Sequence, residues 1–309
     1  MRKRRRDMIV TVTLNPAVDK NVEIGRVVMG DINRARAASN LAGGKGINVA
    51  KILRQFHLPV ATMGFLGGYS GRMIEDSMMK LGVECHFTRT KGDTRTSVNI
   101  LTDDGYVTEI LEPGPAISEK ELANFLKEFE YCLETGDMFV LCGSVPVGVP
   151  LTIYADLIKR CREEGRKVIL DTSGEFLREG VKAKPYLIKP NRKELEYLVG
   201  RKLPDRDSII EEAQKLVAGG IEKVVVSMGT QGLLYVDADN VLFESARKVK
   251  TVNTVGCGDS VVASLCMSEV SHESPELAMK KAIALSAANA STQEIAMISM
   301  NQYLELLGV

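Results

Sequence analysis

The segment Asn253-Thr254-Val255-Gly256-Cys257-Gly258-Asp259-Ser260 carries the strongest chemical signal in the chain. Two glycines flank a small residue, a single carboxylate follows, and the apolar run Val261-Val262-Ala263-Ser264-Leu265 begins at once. A glycine turn that opens a helix aims free backbone N–H groups and the positive end of the helix dipole at one point, which suits phosphate. Asp259 would repel a phosphate bound there. Its use is as a base that takes a proton from a hydroxyl about to attack phosphorus. Gly256, Cys257 and Gly258 as anion hole, with Asp259 beside them, therefore point to phosphoryl transfer to an alcohol. The same residues would also make an ordinary helix N-cap, with Asp or Ser satisfying amides and the glycines turning the chain.

Three more segments bear on that choice. In Ala42-Gly43-Gly44-Lys45-Gly46-Ile47-Asn48, glycines around a lysine let backbone approach a ligand closely, and Asn48 falls on the first turn of the next helix. This is not a Walker A loop, because Gly46 stands where Ser or Thr would hold magnesium. It also lacks the Gly-x-Gly-x-x-Gly spacing of dinucleotide-binding turns. In Ile188-Lys189-Pro190-Asn191-Arg192-Lys193-Glu194, Asn191 and Glu194 share one face of a starting helix. Glu194 could hold Mg²⁺ directly or through water, and the pair equally fits a capping box. Val226-Ser227-Met228-Gly229-Thr230-Gln231-Gly232-Leu233 reads as a hairpin that could carry a nucleotide. Asp171-Thr172-Ser173-Gly174 follows a strand but is given no role.

The elements that must position these residues alternate along the chain. Ile9–Leu14, Val60–Leu66, Met138–Cys142, Val168–Leu170, Tyr186–Ile188 and Val224–Val226 read as strands. Helices fit at Gly46–Phe56, Gly71–Leu81, Ser118–Leu133, Leu151–Glu164 and Ser208–Val217. Ser274-Pro275-Glu276 starts another, with a capping serine and proline in the first turn. Such alternation implies an α/β fold with a mostly parallel sheet covered on both faces. Residues 20–42 and 94–112 break the rhythm as short polar-alternating strands. They predict a small β-lid over the carboxyl edge of the sheet. No repeat or proline-rich linker divides the chain, so one domain over residues 1–309 is expected.

Composition narrows the function classes. Forty basic and forty acidic residues cancel, which argues for neither nucleic acid nor a membrane surface as partner. The run Arg2-Lys3-Arg4-Arg5-Arg6 reads as part of a solvated basic extension over residues 1–7. No apolar stretch reaches the roughly 18 residues that span a bilayer, and no signal-peptide core is present. Six cysteines without metal or redox spacing read as reduced thiols of a cytoplasmic protein. Three scattered histidines leave zinc hydrolysis and serine–histidine chemistry little to work with.

Taken together, the segments resemble the ribokinase-like (phosphofructokinase-B) sugar kinases from about Met8 to the C-terminus. The resemblance implies a three-layer α/β/α sandwich with a β-lid, ATP and Mg²⁺ as donor and cofactor, and a sugar hydroxyl as acceptor. It implies Asp259 as base and Gly256, Cys257 and Gly258 as anion hole. It also implies a nucleotide and magnesium site at Lys189, Asn191, Glu194, Ser227, Gly229 and Gly232, with Asn289 flanking adenine. Thr13-Leu14-Asn15-Pro16-Ala17-Val18-Asp19 resembles the family's phosphosugar branch, which phosphorylates fructose 1-phosphate or tagatose 6-phosphate. Asp19 would then accept bonds from sugar hydroxyls, and Arg34, Lys45 and Arg95 would clamp the substrate phosphate. Gly43, Gly44, Asn48, Asn99 and Ser144 complete the expected acceptor site, and the lid is the candidate surface for a homodimer. The stretch around Lys189–Glu196 and Gly200–Pro204 favours fructose 1-phosphate over tagatose 6-phosphate.

Two departures from the family pattern stand out. Cys257 replaces the usual alanine, and a thiol at a helix N-terminus is expected to have a lowered pKa and to react with alkylating reagents. Asn253 stands where many members carry an aspartate linked to a monovalent cation, which puts potassium dependence in doubt. A catalytically silent sugar-phosphate sensor on the same fold is opposed by the intact Asp259 turn. A nicotinamide-dependent dehydrogenase is opposed by the missing dinucleotide fingerprint.

Overall fold

Successive residues of the first strand point to opposite faces: Ile9 packs into one core, Val10 and Val12 into another. A strand buried on both faces belongs in the middle of a three-layer structure. The computed structural model describes residues 8–308, so the basic run at residues 1–7 lies outside them. In chain order the strands are β1 (Ile9–Thr13), β2 (Ala17–Ile24), β3 (Ala37–Gly43), β4 (Val60–Gly67), β5 (Glu84–Thr90), β6 (Arg95–Thr102) and β7 (Val107–Leu111). They continue as β8 (Met138–Cys142), β9 (Lys167–Asp171), β10 (Leu187–Ile188), β11 (Lys223–Ser227), β12 (Gly232–Val236) and β13 (Val241–Ser245). The helices are α1 (Lys45–Gln55), α2 (Gly68–Lys80), α3 (Glu119–Thr135), α4 (Ile153–Glu163) and α5 (Gly174–Lys182). After these come α6 (Arg192–Val199), α7 (Arg206–Ala218), α8 (Cys257–Val270), α9 (Pro275–Ala290) and α10 (Met300–Leu307).

Nine strands form the main sheet in the order β13-β12-β11-β10-β9-β8-β1-β4-β5. Pairing is parallel from β5 through β11 and antiparallel across β11-β12-β13. Helices α1, α2, α8, α9 and α10 cover one face, through residues such as Ile47, Ile74, Val262, Leu285 and Tyr303. Helices α3 to α7 cover the other, through Phe125, Tyr154, Leu177, Leu195 and Ile209. Strand order reverses beside β1, and in such sheets ligands bind beyond the carboxyl ends of the strands at that point.

The smaller sheet has the order β3-β2-β6-β7, built from the two segments expected to form short strands. Its β6–β7 hairpin turns at Asp103-Asp104-Gly105, where Gly105 has φ +83°. Four elements have no counterpart in the sequence analysis: β5, β13, α5 and α10. Strand β5 lies at the sheet edge, so Glu84, His86 and Arg89 interrupt the apolar signal of a central strand. Helix α5 begins in the Asp171–Gly174 segment on a left-handed Gly174, and α10 is only eight residues long. Among the described residues no helix is long and apolar enough to cross a membrane.

Candidate active site

The ends of β1, β8, β9, β10 and β11 open into one cleft of about 620 Å³, closed on one side by lid strands β2, β6 and β7. A second cavity of about 410 Å³ adjoins it and shares Asn191, Ser227, Thr254 and Gly258. Leu233, Val261, Ile283, Ala287 and Ala290 give this second cavity an apolar wall, while Gly229 and Gly232 approach it with backbone. The first cavity is polar and the second is largely apolar. That division suits a sugar phosphate in one and a nucleobase in the other.

Asp259 sits in the first turn of α8, 6% exposed at the cleft wall. Asn48 Nδ2, on the first turn of α1, donates to its Oδ2 at 2.8 Å. Burial pushes the Asp259 carboxyl from 3.8 up to about 6; Lys45 opposes the rise and Asp171 adds to it. Gly256, at φ +81°, caps the helix, and the amides of Gly258 and Asp259 find no internal acceptor among the described residues. Free amides beside a buried carboxylate are the arrangement anticipated for this turn.

The sequence reading passed over Asp171. It is 1% exposed at the end of β9, and its Oδ1 accepts from Lys45 Nζ at 3.1 Å and lies 3.4 Å from Lys189 Nζ. Burial would raise this carboxyl, but the two ammonium groups outweigh it and hold Asp171 below the usual range. Burial would likewise lower Lys45, but Asp171, with Asp259 and Glu194 behind it, pushes it up. Lys189 Nζ would stand 3.3 Å from a Cβ placed on Gly258, so its charge faces the glycine turn. Two lysines thus arm the cleft with positive charge, and one buried acid anchors both. Only the position of Asp171 after a strand could have signalled this.

Two expectations at the turn are corrected. Asn289 does not line the apolar cavity: it is 1% exposed and its amide is used internally. Its Nδ2 donates to Val255 O at 2.8 Å and its Oδ1 accepts from Ala296 N at 3.0 Å, so it braces the glycine turn from behind. The Cys257 thiol is not activated. Burial raises its pKa and outweighs the bonds to Asn289 and to the Ser286 carbonyl, 3.6 Å from Sγ, which act the other way. Asn253 is held within the turn, its Oδ1 accepting from Val255 N at 2.9 Å.

On the lid side, Asp19 is 7% exposed in β2 and lines the cleft, its carboxyl raised by burial to about 6 against the pull of Lys51 and Arg95. Gly43 does not line the cleft. It leaves room for that carboxylate, since a Cβ there would fall 2.0 Å from Asp19 Oδ2. Gly44 lines the cleft at φ +109°, in the left-handed region that favours glycine. Asn99 lines it too and donates to Asn21 Oδ1 at 3.0 Å. Arg95 is present but partly committed, through Nε to Asn15 O at 3.2 Å and Nη1 to Glu112 O at 3.1 Å. Arg34 is exposed and does not line the cleft. Strand β2 runs from Ala17 at the cleft to Ile24, so the 25–36 connection starts roughly 20 Å away at about 3.3 Å per residue. Asn15, not singled out in the sequence, lines the cleft and donates from Nδ2 to Ser144 Oγ at 3.3 Å and Pro113 O at 3.0 Å.

Asn191 and Glu194 form the capping box: Glu194 N donates to Asn191 Oδ1 at 2.9 Å, and Asn191 N to Glu194 Oε2 at 2.8 Å. Both residues also line the cleft, so the cap does not turn them away from it. Among the described residues no group of three His, Cys, Asp or Glu could hold a metal. A hydrated Mg²⁺ needs only one or two carboxylates together with phosphate oxygens. Glu194, facing the cleft with Oε1 unused by the cap, fits that requirement.

Comparison with known proteins agrees with this geometry. Residues 10–299 match the model of the pfkB family carbohydrate kinases. The chain is 37% identical over 289 residues to 1-phosphofructokinase of Bacillus subtilis (strain 168), spanning 93% of this chain and 94% of that relative. Phosphofructokinase-2 from Escherichia coli, solved in complex with substrates and products, superposes with TM-score 0.92 at 29% identity, covering 97% of this chain and 98% of that one. Arabidopsis thaliana ribokinase complexed with ribose and ATP shares the fold at TM-score 0.77 and 23% identity, over 98% and 99% of the two chains. With its family match running over nearly the whole length, the chain belongs to the pfkB family of carbohydrate kinases.

Proposed function

We propose that this sugar kinase transfers the terminal phosphoryl group of MgATP to the free primary hydroxyl of fructose 1-phosphate, giving fructose 1,6-bisphosphate and ADP. The observation that carries this reading is the buried Asp259 at a glycine turn, flanked by Lys45 and Lys189, in a polar cleft. Asp259 accepts the hydroxyl proton as the new O–P bond forms and the bond to the departing ADP oxygen breaks. The free amides of the 256–259 turn and the two lysines stabilise charge on the transferring group. Mg²⁺, held by Glu194 through water and by the phosphates, would neutralise further charge when bound. Asp19 and Asn99 orient the sugar, and Arg95 with Lys45 holds its phosphate. Asn191, Ser227, Gly229 and Gly232 frame the nucleotide.

In this reading residues 8–308 are one catalytic domain whose four-stranded sheet is the lid. The exposed Ile110 and Leu111 on that sheet, with Met29 and Ile32 on the connection between β2 and β3, favour a second copy as its partner.

Steady-state ADP release with MgATP tests the substrate, comparing fructose 1-phosphate, tagatose 6-phosphate, fructose 6-phosphate and fructose. A kcat/KM at least about a hundredfold higher for fructose 1-phosphate is expected, since a buried cationic site left empty loses several charge-assisted bonds. A preference for tagatose 6-phosphate would move the acceptor assignment and keep the base. The pH profile tests the base. Asp259 and Asp19 both work ionised and both have values raised to about 6. Activity should therefore fall as pH drops through about 6, more steeply than one proton would give. A flat profile down to pH 5 would show that neither carboxyl titrates near 6 in the working enzyme.

A further inference from the structure

Lys51 lies on α1 outside the cleft and is 6% exposed. Its ammonium donates to two backbone carbonyls far apart in sequence, Ala42 O at 3.0 Å and Ile295 O at 3.1 Å. Ala42 belongs to the end of lid strand β3 and precedes Gly43, the residue that packs against the Asp19 carboxylate. Ile295 leads to the other half of the site. A Cβ on Gly256 would lie 3.0 Å from Ile295 Cγ2, and the next residue, Ala296, donates to the Asn289 amide that holds Val255. One helical turn beyond Lys51, Gln55 grips the same segment. Its Nε2 donates to Ala296 O at 2.8 Å and its Oε1 accepts from Ile298 N at 2.9 Å. Gln55 alone could anchor residues 295–298 to α1. Lys51 is the side chain that also reaches the lid.

A buried ammonium is costly where a neutral donor would serve, so its charge needs a reason. The carboxylates acting on it are Asp19 from β2, Asp259 from α8 and Glu294 from the last loop, while burial lowers its pKa to about 8. Two of the three are the acids at either end of the acceptor site.

We propose that Lys51 is a positioning residue for phosphoryl transfer: by joining Ala42 to Ile295 it keeps the sugar-binding end of the lid in register with the glycine turn and its base. The proposal rests on the kinase reading above for its effect on rate, and on geometry alone for the coupling. It therefore calls for two readouts on wild type, Lys51→Gln and Lys51→Arg. Gln is uncharged and one bond shorter, so its amide does not reach both carbonyls; Arg keeps the charge and donors enough for both.

In hydrogen exchange, Lys51→Gln should speed amides in both 37–43 and 253–258 by about tenfold or more, with β8 unchanged and Lys51→Arg close to wild type. In kinetics, Lys51→Gln should raise KM for the sugar phosphate and lower kcat, together costing about a hundredfold in kcat/KM. KM for MgATP should stay within about twofold, and Lys51→Arg should restore most of the loss. Unchanged exchange at either segment overturns the coupling, and so does wild-type kcat/KM in Lys51→Gln. Uniformly faster exchange throughout the chain would show a merely structural lysine. An inactive wild type would sink the kinase reading, while exchange would still decide the coupling. Should Lys51→Gln not fold, hydrogen exchange of the wild type decides: the amides of 37–43 and 253–258 are expected to open with the same free energy, and clearly different values overturn the proposal.

Discussion

Asp259→Asn is expected to lower kcat by about 10³–10⁴ while leaving KM for both substrates within about threefold. The asparagine retains the shape of the side chain and an oxygen to accept from Asn48 Nδ2, so the 2.8 Å contact to α1 survives. What disappears is the carboxylate that takes the hydroxyl proton in the proposed reaction. The free amides and both lysines remain, which is why binding should persist. Stability supplies the control. Because burial raises Asp259 from 3.8 to about 6, its carboxyl contributes stability below pH 4 that is lost as pH rises through about 6. At pH 7 the ionised Asp259 thus costs up to about 3 kcal/mol, and the neutral variant should melt no lower than wild type. Steady-state kinetics with a thermal melt checks both halves. Loss of affinity in parallel with rate, or a lower melting temperature, would make Asp259 a binding or folding residue instead.

Asp171→Asn is expected to act in the opposite sense on stability, lowering it by about 3–5 kcal/mol, the usual result of removing one partner from a buried ion pair. Lys189, whose side chain is 5% exposed, would be left without its acid, and Lys45 would lose its anchor at 3.1 Å. The two ammonium groups would repel each other and leave the positions from which they are proposed to hold phosphate oxygens. We therefore expect kcat/KM to fall by about 10²–10³ even at temperatures where the variant stays folded. Chemical denaturation read beside kinetics separates the effects. Because the wild-type carboxyl is held low by its lysines, the stability it contributes is present at neutral pH and lost on acidification. A variant as stable as wild type at pH 7 would show that Asp171 anchors neither lysine.

These two aspartates differ in how legible they were. Asp259 sits inside its own signal: the glycines that make the anion hole and the apolar run that makes α8 are its sequence neighbours. Nothing near Asp171 in sequence announces Lys45 or Lys189, which meet it because β9, β10 and the start of α1 converge at one sheet edge. Arg34 and Asn289 failed for the same reason in reverse. A motif gave each a plausible role, but strand length carried Arg34 away from the cleft and two internal bonds turned Asn289 behind the turn. Cys257 shows the limit of arguing from a helix end alone: burial of the side chain, which the sequence does not show, raises the thiol's pKa.

The sequence by itself determined the alternation of strand and helix, the glycine turn that carries Asp259, the two caps at Asn191 and Ser274, and the strand segments of the smaller sheet. All of these depend on residues within a few positions of one another, where periodicity, capping and glycine's freedom at positive φ act directly. Only the tertiary structure decided which charges pair, which amides are already used, and how Lys51 links lid to turn. Those outcomes depend on distances between segments up to 244 residues apart, as in the bond from Lys51 to Ile295, and burial sets their strength by removing the water that would otherwise screen them.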